Sequence, residues 1–568
     1  MKLRFPDDEA RSLLAALAVG IASGLVVALF TDVFVWTNKF RYEYLEKDPP
    51  LFAVVSFVSI LGTAYFLKAT LGNLQGSSTS YVVRSYHTKL GYIGFKELVV
   101  YTLGALSSVL GGAVVGPEGP GIALGAFFGY WIARLAKLRG EDSKKLALVG
   151  GAAGIASVFR APLTAMAFAM EVPYKKALEG GIFLQALIAT LTSYLITVAL
   201  VGPQRLLLEV KPFKPPYPSF DLVAASIGVG LTAAFLTYLM YLVKHWSMEI
   251  SEKFVHKRTW VALPALLTAL VLLAYSVSPL IPGAGDVLTE KVFNEPDSFK
   301  VQQLAVIVLA KAVLMGLSLN WGTTGGIFMP LVAIGSAMGL MYAKAFALSH
   351  ALEAIVIAGV SSLFASSMKT LLTSVLIGVE FLGFGAFFTS SVAAATGYLL
   401  TLPISLISGQ LPAPPDVKKR SIIELYTKLK ESEEFKKVMN TEVERITNKD
   451  VIRLTENMTV SEALEVVTKE THNYYPVVDS EDRVVGEVSL EELIVSDLKK
   501  RMKELMYFPK LMLYKKVPLA YALDLIISKD EDHAIVIDEK RKLVGVVTKA
   551  DIIKHLLEML KDLLRKKA

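Results

Sequence analysis

Residues 111–125, GGAVVGPEGPGIALG, set a single carboxylate, Glu118, between two glycine–proline breaks and just ahead of an apolar stretch that reads as a helix. A helix start offers unpaired amide N–H groups and the positive end of the dipole, so it can hold an anion without a tightly binding lysine. Glu118 could fill that position with its own carboxylate. Protonation would neutralise it and let it swing away, opening the place to a mobile anion, so that one acid serves as gate and proton carrier. The structural alternative is a carboxylate that only caps the following helix in a wet loop, and on these residues alone the two stand level.

Two further breaks carry similar chemistry. GGIFMP, ending at Pro330, offers amides near Ile327, Phe328 and Met329, with Gly326 allowing close backbone approach and Pro330 fitting a first helical turn. Ser77 in GSSTS, residues 76–80, adds a hydroxyl beside a glycine turn. Each has a bland counterpart, a structural kink for the first and an ordinary helix cap for Ser77. Together, three polar breaks between strongly apolar segments describe an anion route.

The elements that must position them are membrane helices. Of the 111 Asp, Glu, Lys and Arg residues, 53 fall in residues 1–410 and 58 in the 158 residues that follow, or 13% against 37% charged. Residues 313–343 and 381–415 carry no charge at all, and each run exceeds the roughly 20 residues a helix needs to cross about 30 Å of hydrocarbon. A membrane barrel would show alternating segments of about ten residues instead. Apolar spans are expected near 13–36, 51–67, 98–115, 122–133, 146–170, 181–201, 220–243, 261–280, 302–317, 326–348, 353–380 and 386–408. The first of these reads as a retained helix rather than an export signal. Breaks in corresponding positions of two halves suggest a transporter site near the middle of the bilayer and an inverted repeat. The formal charge of +7 resides on the membrane part, which argues against nucleic-acid binding and fits basic flanks of cytoplasmic loops. With no cysteine, thiolate metal sites and a thiol nucleophile are excluded, and the seven histidines, His245, His256 and His350 among them, show no metal-ligand spacing.

On these motifs residues 10–410 resemble the CLC family of chloride channels and proton-coupled chloride exchangers. GPEGP resembles the family's G-[KR]-E-G-P, placing the gating glutamate at Glu118. GGIFMP resembles G-x-F-x-P, with Phe328 as its phenylalanine, and GSSTS resembles the start of G-S-G-I-P, placing the anion-binding serine at Ser77. The resemblance implies an all-α polytopic membrane protein with inverted-topology halves and broken helices, followed by a soluble α/β pair of CBS domains. It implies chloride bound by Ser77, Gly119, Ile327, Phe328 and Met329, a homodimer in the lipid bilayer of the cell membrane with one pore per subunit, and both termini cytoplasmic. Ser77 favours chloride; bromide or nitrate permeation is compatible with an amide site.

The departures from the family pattern bear on coupling. Pro117 stands where a basic residue usually precedes the glutamate, and Ser78-Thr79-Ser80 replace G-I-P. In APLTAMAFAMEVP, residues 161–173, Glu171 matches the first acid of the family's E-E pair, and Val172 falls at the internal proton-transfer position. SLISGQLP, residues 405–412, resembles S-x-Y-x-x-Q-x-P with Ile407 in place of tyrosine. A valine carries no proton and an isoleucine donates no hydrogen bond. These losses favour passive or weakly proton-coupled chloride transport, with chloride/proton antiport by an unusual internal proton route (Glu171 or water) as the alternative.

Beyond the prolines of LPAPPD the pattern changes to short alternating strands and helices. Residues 458–470, 491–500, 518–529 and 551–564 read as helices, and 474–479, 483–489, 533–538 and 542–548 as strands. The division expected is 1–410 for the transmembrane domain, 411–434 for a linker, and 435–500 and 501–568 for two CBS domains. In such domains G-h-h-[ST]-x-x-[DN] can contact an adenine nucleotide. GVVTKAD supplies it through Gly545, Thr548 and Asp551, while GEVSLEE has Ser489 but Glu492 in the acid position. A pair that only stabilises a dimer is an equal reading. A membrane-tethered nucleotide sensor is the contrasting class of function. An intramembrane hydrolase lacks a base for Ser77 and any metal set, so no enzyme is expected.

Overall fold

In hydrocarbon every amide must find its partner within the protein, so the apolar runs fold as helices. The computed structural model describes residues 8–138, 140–203, 219–413, 439–468, 472–529, 531–552, 554–555 and 558. The chain divides at the Pro414–Pro415 junction into two units. The first contains α1 (Asp8–Glu43), α2 (Pro49–Leu71), α3 (Ser78–Thr88), α4 (Phe95–Leu110), α5 (Glu118–Leu135), α6 (Glu141–Phe159), α7 (Pro162–Glu171) and α8 (Phe183–Val201). It continues with α9 (Phe220–Val255), α10 (Ala262–Val277), α11 (Asp286–Asn294), α12 (Val301–Ser318), α13 (Phe328–Ala345), α14 (Leu352–Met368), α15 (Leu371–Leu382) and α16 (Phe387–Leu400). Eight helical spans among the described residues are long and apolar enough to cross a membrane. Leu29, Phe66, Leu195 and Leu242 stand 60–63% exposed on their outer faces, as lipid-facing side chains would.

Two expected spans are each a pair of helices. Residues 146–170 break at Arg160 (φ 53°) and residues 353–380 at Lys369 (φ 61°), each in the left-handed region, and a short helix follows each break. The apolar composition runs unbroken across both joints, which hides them from a hydropathy reading. α3 and α11 were not expected, because STSYVVRSYHT and DVLTEKVFN are too polar to register as spans.

Small residues let the central helices approach closely. Gly121, Gly125 and Gly129 on α5 face the backbone of Gly154, Gly150 and Leu146 on α6. Gly335 and Gly339 on α13 face Gly359, Val360, Ile355 and Val356 on α14 in the same manner. The first partners in these two pairs, α5 and α13, are the helices that begin at the GPEGP and GGIFMP breaks.

The second unit holds two three-stranded sheets, β1 (Leu454–Thr455), β2 (Tyr474–Val478) and β3 (Val484–Ser489), then β4 (Met512–Tyr514), β5 (His533–Ile537) and β6 (Leu543–Thr548). In each, the first strand pairs parallel with the second and the second antiparallel with the third. Helices Val460–Val467, Leu490–Val495, Met502–Leu505 and Leu519–Ser528 accompany them. Val478 and Val484 of the first module share a core with Ile535 and Ile537 of the second. The expected helix 491–500 is shorter and begins at Leu490; β1, β4 and Met502–Leu505 are additions. The expected linker and the last expected helix lie mostly outside the described residues.

Candidate functional site

The three breaks meet. Gly76 donates to Leu319 O (2.9 Å), and Gly325 donates to Gly76 O (3.2 Å). One residue on, Gly116 and Gly326 exchange both backbone bonds, 2.9 and 2.8 Å. The loop before α13 therefore holds the GSSTS turn at Gly325 and the GPEGP turn at Gly326. Val114 N donates to Ser318 Oγ (3.2 Å) and Thr324 N to Ser108 Oγ (3.0 Å), so these buried turns keep their amides bonded, as a non-helical backbone in an apolar setting requires. From this knot α3, α5 and α13 all set out, bringing three positive helix ends together.

Glu118 is the first residue of α5 and fully buried. Its Oε1 accepts the N–H of Met329 in the first turn of α13 at 2.9 Å. Its Oε2 has no hydrogen-bond partner among the described residues. The carboxylate thus sits on an amide at the start of a different helix, buried rather than in a wet loop. Gly326 makes room for it: a methyl there would lie 2.6 Å from Glu118 Oε2 and 2.5 Å from Gly119 N. Ile327 is the N-cap of α13 and is buried. The Phe328 ring is fixed by Phe159, Phe168 and Phe364, with centroids 5.9, 4.9 and 5.3 Å away.

Ser77 is the half-buried N-cap of α3, its Oγ accepting from Ser80 N (3.4 Å) and donating to Ser80 Oγ (3.0 Å). The cap role holds, and the same hydroxyl stands in the three-loop knot. Two hydroxyls that the motif comparison treated only as departures also belong here. Ser78 Oγ packs against Gly119, and both it and Thr79 Oγ1 are buried without a hydrogen-bond partner among the described residues.

The segment with Ile407 reaches the same place from the other side. Ser408 N donates to Ser80 Oγ (3.0 Å), and buried Ile407 donates its N–H to Ser405 Oγ (3.1 Å). Gln410 Nε2 bridges Val172 O and Met368 O, both at 2.9 Å. The Val172 side chain is buried and lines a narrow apolar cavity with Thr79, Ile122, Leu148 and Phe168. Glu171 points elsewhere. Its Oε1 accepts from Leu372 N (2.8 Å), and its Oε2 from Thr373 N (2.8 Å) and Thr373 Oγ1 (2.7 Å), which caps α15. Glu380 on α15 returns the arrangement, accepting from Leu163 N (2.9 Å) and Thr164 N (2.8 Å) at the start of α7. Sequence reading missed Glu380, although the offset from Leu163 to Leu372 is the offset from Glu171 to Glu380.

In the second unit Thr548 and Asp551 come together. Asp551 Oδ2 accepts from Thr548 N (2.9 Å) and Oγ1 (2.7 Å), and Asp551 N donates back to Thr548 Oγ1 (3.2 Å). Ser489 Oγ accepts from Glu492 N at 3.1 Å. A side chain at Gly545 would strike the carbonyl of Asn448, which is bonded to Val546 N at 3.0 Å. These are helix-capping and close-packing duties.

A bundle of apolar helices interrupted where three helix starts converge on a buried carboxylate is the architecture of a membrane anion pathway. Residues 72–402 match the family model described as voltage gated chloride channel, and residues 443–499 and 502–558 each match the CBS domain. The chain belongs to the voltage gated chloride channel, or CLC, family and carries a CBS pair, which places it among transport proteins rather than enzymes. It is 24% identical over 387 residues to the H(+)/Cl(-) exchange transporter ClcA of Vibrio cholerae, covering 65% of this chain and 81% of that one. Its fold is similar to that of a slow cyanobacterial Cl-/H+ antiporter (TM-score 0.61, 21% identity, 69% of this chain and 94% of that one). A CLC-type fluoride/proton antiporter is also similar (TM-score 0.62, 23% identity, 71% and 98%).

Proposed function

We propose that the chain exchanges chloride for protons across a membrane, with Glu118 as the group that does both jobs. The observation that carries this reading is the Glu118 carboxylate on the Met329 amide at the start of α13. A bound anion would need that same donor, so anion and carboxylate exclude each other, and a proton on Glu118 favours the anion. Ser77, Gly119, Ile327, Phe328 and Met329 form the chloride site in this reading. The relatives named as H(+)/Cl(-) exchange transporters support coupling.

The second reading is passive or weakly coupled flux, favoured by Val172 and Ile407, which supply neither an internal proton carrier nor a phenol. Glu171 does not repair the loss, because its carboxylate is held on α15. Ser78 and Thr79 hydroxyls and water remain as carriers on that side. Simultaneous chloride and proton flux in liposomes separates the readings. An exchanger drives protons uphill on a chloride gradient, and E118A abolishes this while chloride still moves. Uncoupled flux in the parent, with coupling gained in V172E, would instead establish the second reading.

Matching glycine contacts in α5–α6 and α13–α14, left-handed joints at Arg160 and Lys369, and exchanged caps Glu171 and Glu380 support two inverted-topology halves. The domain division at 1–410, 411–434, 435–500 and 501–568, the homodimer and the cytoplasmic placing of both termini belong to the same proposal. So does adenine-nucleotide regulation through Ser489, Gly545, Thr548 and Asp551. Titrating the full chain with AMP, ADP and ATP tests the last; flux and thermal stability unmoved by all three would remove it.

A further inference from the structure

We propose that Lys244 is an anion-binding residue on the Ile407 side of Ser77, a role that rests on the chloride-transport reading above. Lys244 lies in α9 and is buried, 6% exposed. An ammonium has three N–H donors, and two are used, on Leu406 O (2.5 Å) and Ser408 Oγ (2.9 Å). Both acceptors are neutral, and the third N–H has no acceptor among the described residues.

The other buried amino groups of this unit have their compensation in view. Lys311 bonds Ile281 O (2.8 Å) and Gly283 O (3.0 Å) beside the Arg41–Glu46 pair and Asp286. Lys369 bonds Ser366 O (2.7 Å) and Thr401 Oγ1 (2.5 Å) at the C-terminus of α14, where the helix dipole favours a cation. Lys244 sits mid-helix without an ion pair among the described residues, and the charged neighbour that acts on it, Arg84, has its own sign. A buried charge left without a counter-ion is costly in a membrane protein and is kept where ions pass.

Its position fits that use. Ser408 connects it to Ser80 and, through Ser80 Oγ, to Ser77 at 3.0 Å per link. Asn320 Nδ2 bonds Lys244 O at 2.9 Å, tying α9 to the loop that delivers the Met329 amide. Ser408, which holds the ammonium, is half-buried, and the next residue, Gly409 beside Arg84, is exposed, so the ammonium lies close beneath the surface.

The test is chloride flux from liposomes as a function of chloride, with chloride-dependent melting of the detergent-solubilised full chain as a second readout. K244M is expected to raise half-saturating chloride on the order of tenfold, with a smaller change in maximal rate, and to lose most of the chloride-induced rise in melting temperature. S408A, which removes one holder of the ammonium, should shift half-saturation the same way by less. A folded K244M with the parent's half-saturation overturns the assignment of Lys244 alone. If K244M does not fold, an unshifted S408A does so. A parent chain that moves no chloride overturns the transport reading and this assignment with it.

Discussion

Replacing Glu118 by glutamine keeps an oxygen that can accept from Met329 N–H and removes the charge that competes with an anion. The contact is 2.9 Å long, in a fully buried setting. A hydrogen bond to a charged group is worth about 1.5–3 kcal/mol net and a neutral one about 0.5–1.5 kcal/mol. The side chain therefore loses about 1–1.5 kcal/mol of its hold on α13, and the anion gains that advantage, about tenfold in affinity. In liposomes E118Q should reach half-maximal chloride flux at about one-tenth of the parent's chloride concentration at alkaline pH, where the parent's carboxyl is ionised. The difference should shrink as pH falls and the parent's carboxyl takes up its own proton. Proton movement on a chloride gradient should be absent in E118Q at every pH. Chloride-driven proton uptake persisting in E118Q, or half-saturation equal to the parent's at every pH including the alkaline end, would refute the competition between carboxylate and anion.

Other perturbations test neighbouring parts. A methyl in G326A meets the Gly119 backbone, which cannot yield, and the Glu118 carboxylate, which can; the gate should be displaced, raising proton-independent chloride flux while stability falls by about 1–3 kcal/mol. E171Q keeps one acceptor oxygen and turns an amide NH2 either toward Leu372 N or toward Thr373 N and Oγ1, where hydrogen bonds to the carboxylate ended. Thermal unfolding in detergent should report a loss of about 3–5 kcal/mol, and an unchanged melting temperature would contradict the cap. In the second unit, burial pushes the Glu531 carboxyl up, partly offset by Lys510 at 3.4 Å. The folded state then holds the proton better than the unfolded one, so this contribution is complete below the ordinary carboxylate range and is lost as pH rises through the raised value. E531Q should retain it, so that amide exchange in β5, compared with the parent at each pH, becomes relatively slower as pH rises from about 4 to 8.

The buried place of Glu118 was legible because glycine and proline interrupt an otherwise apolar chain only where the backbone has a task, and Glu118 stands inside the interruption. The joints at Arg160 and Lys369 were not, since hydropathy averages over a single residue in an unusual backbone conformation. Pro162, two residues past the first joint, was the available signal. α3 and α11 escaped because they are short and polar: α3 buries Ser78, Thr79, Ser80 and Ser85 and α11 buries Thr289, while Arg84, Thr88, Glu290 and Asn294 are exposed, a mixture that hydropathy does not read as a span. Lys244 and Glu380 read as isolated charges in apolar helices; their meaning lies in partners 162–164 and 216–217 residues away. In the tail, Thr548 and Asp551 bond each other, and the motif does not separate a helix cap from a ligand contact.

The exchanged caps of α7 and α15 also constrain how the protein is made. The acceptors on Glu171 precede their donors by 201 and 202 residues. At a synthesis rate of about 5–20 residues per second, α15 arrives some 10–40 s after α7. Until then the Glu171 side chain must stay hydrated or protonated, and the start of α7 must wait for Glu380. The first half therefore cannot complete its own insertion, and biogenesis of the bundle ends with a late mutual docking rather than a helix-by-helix addition.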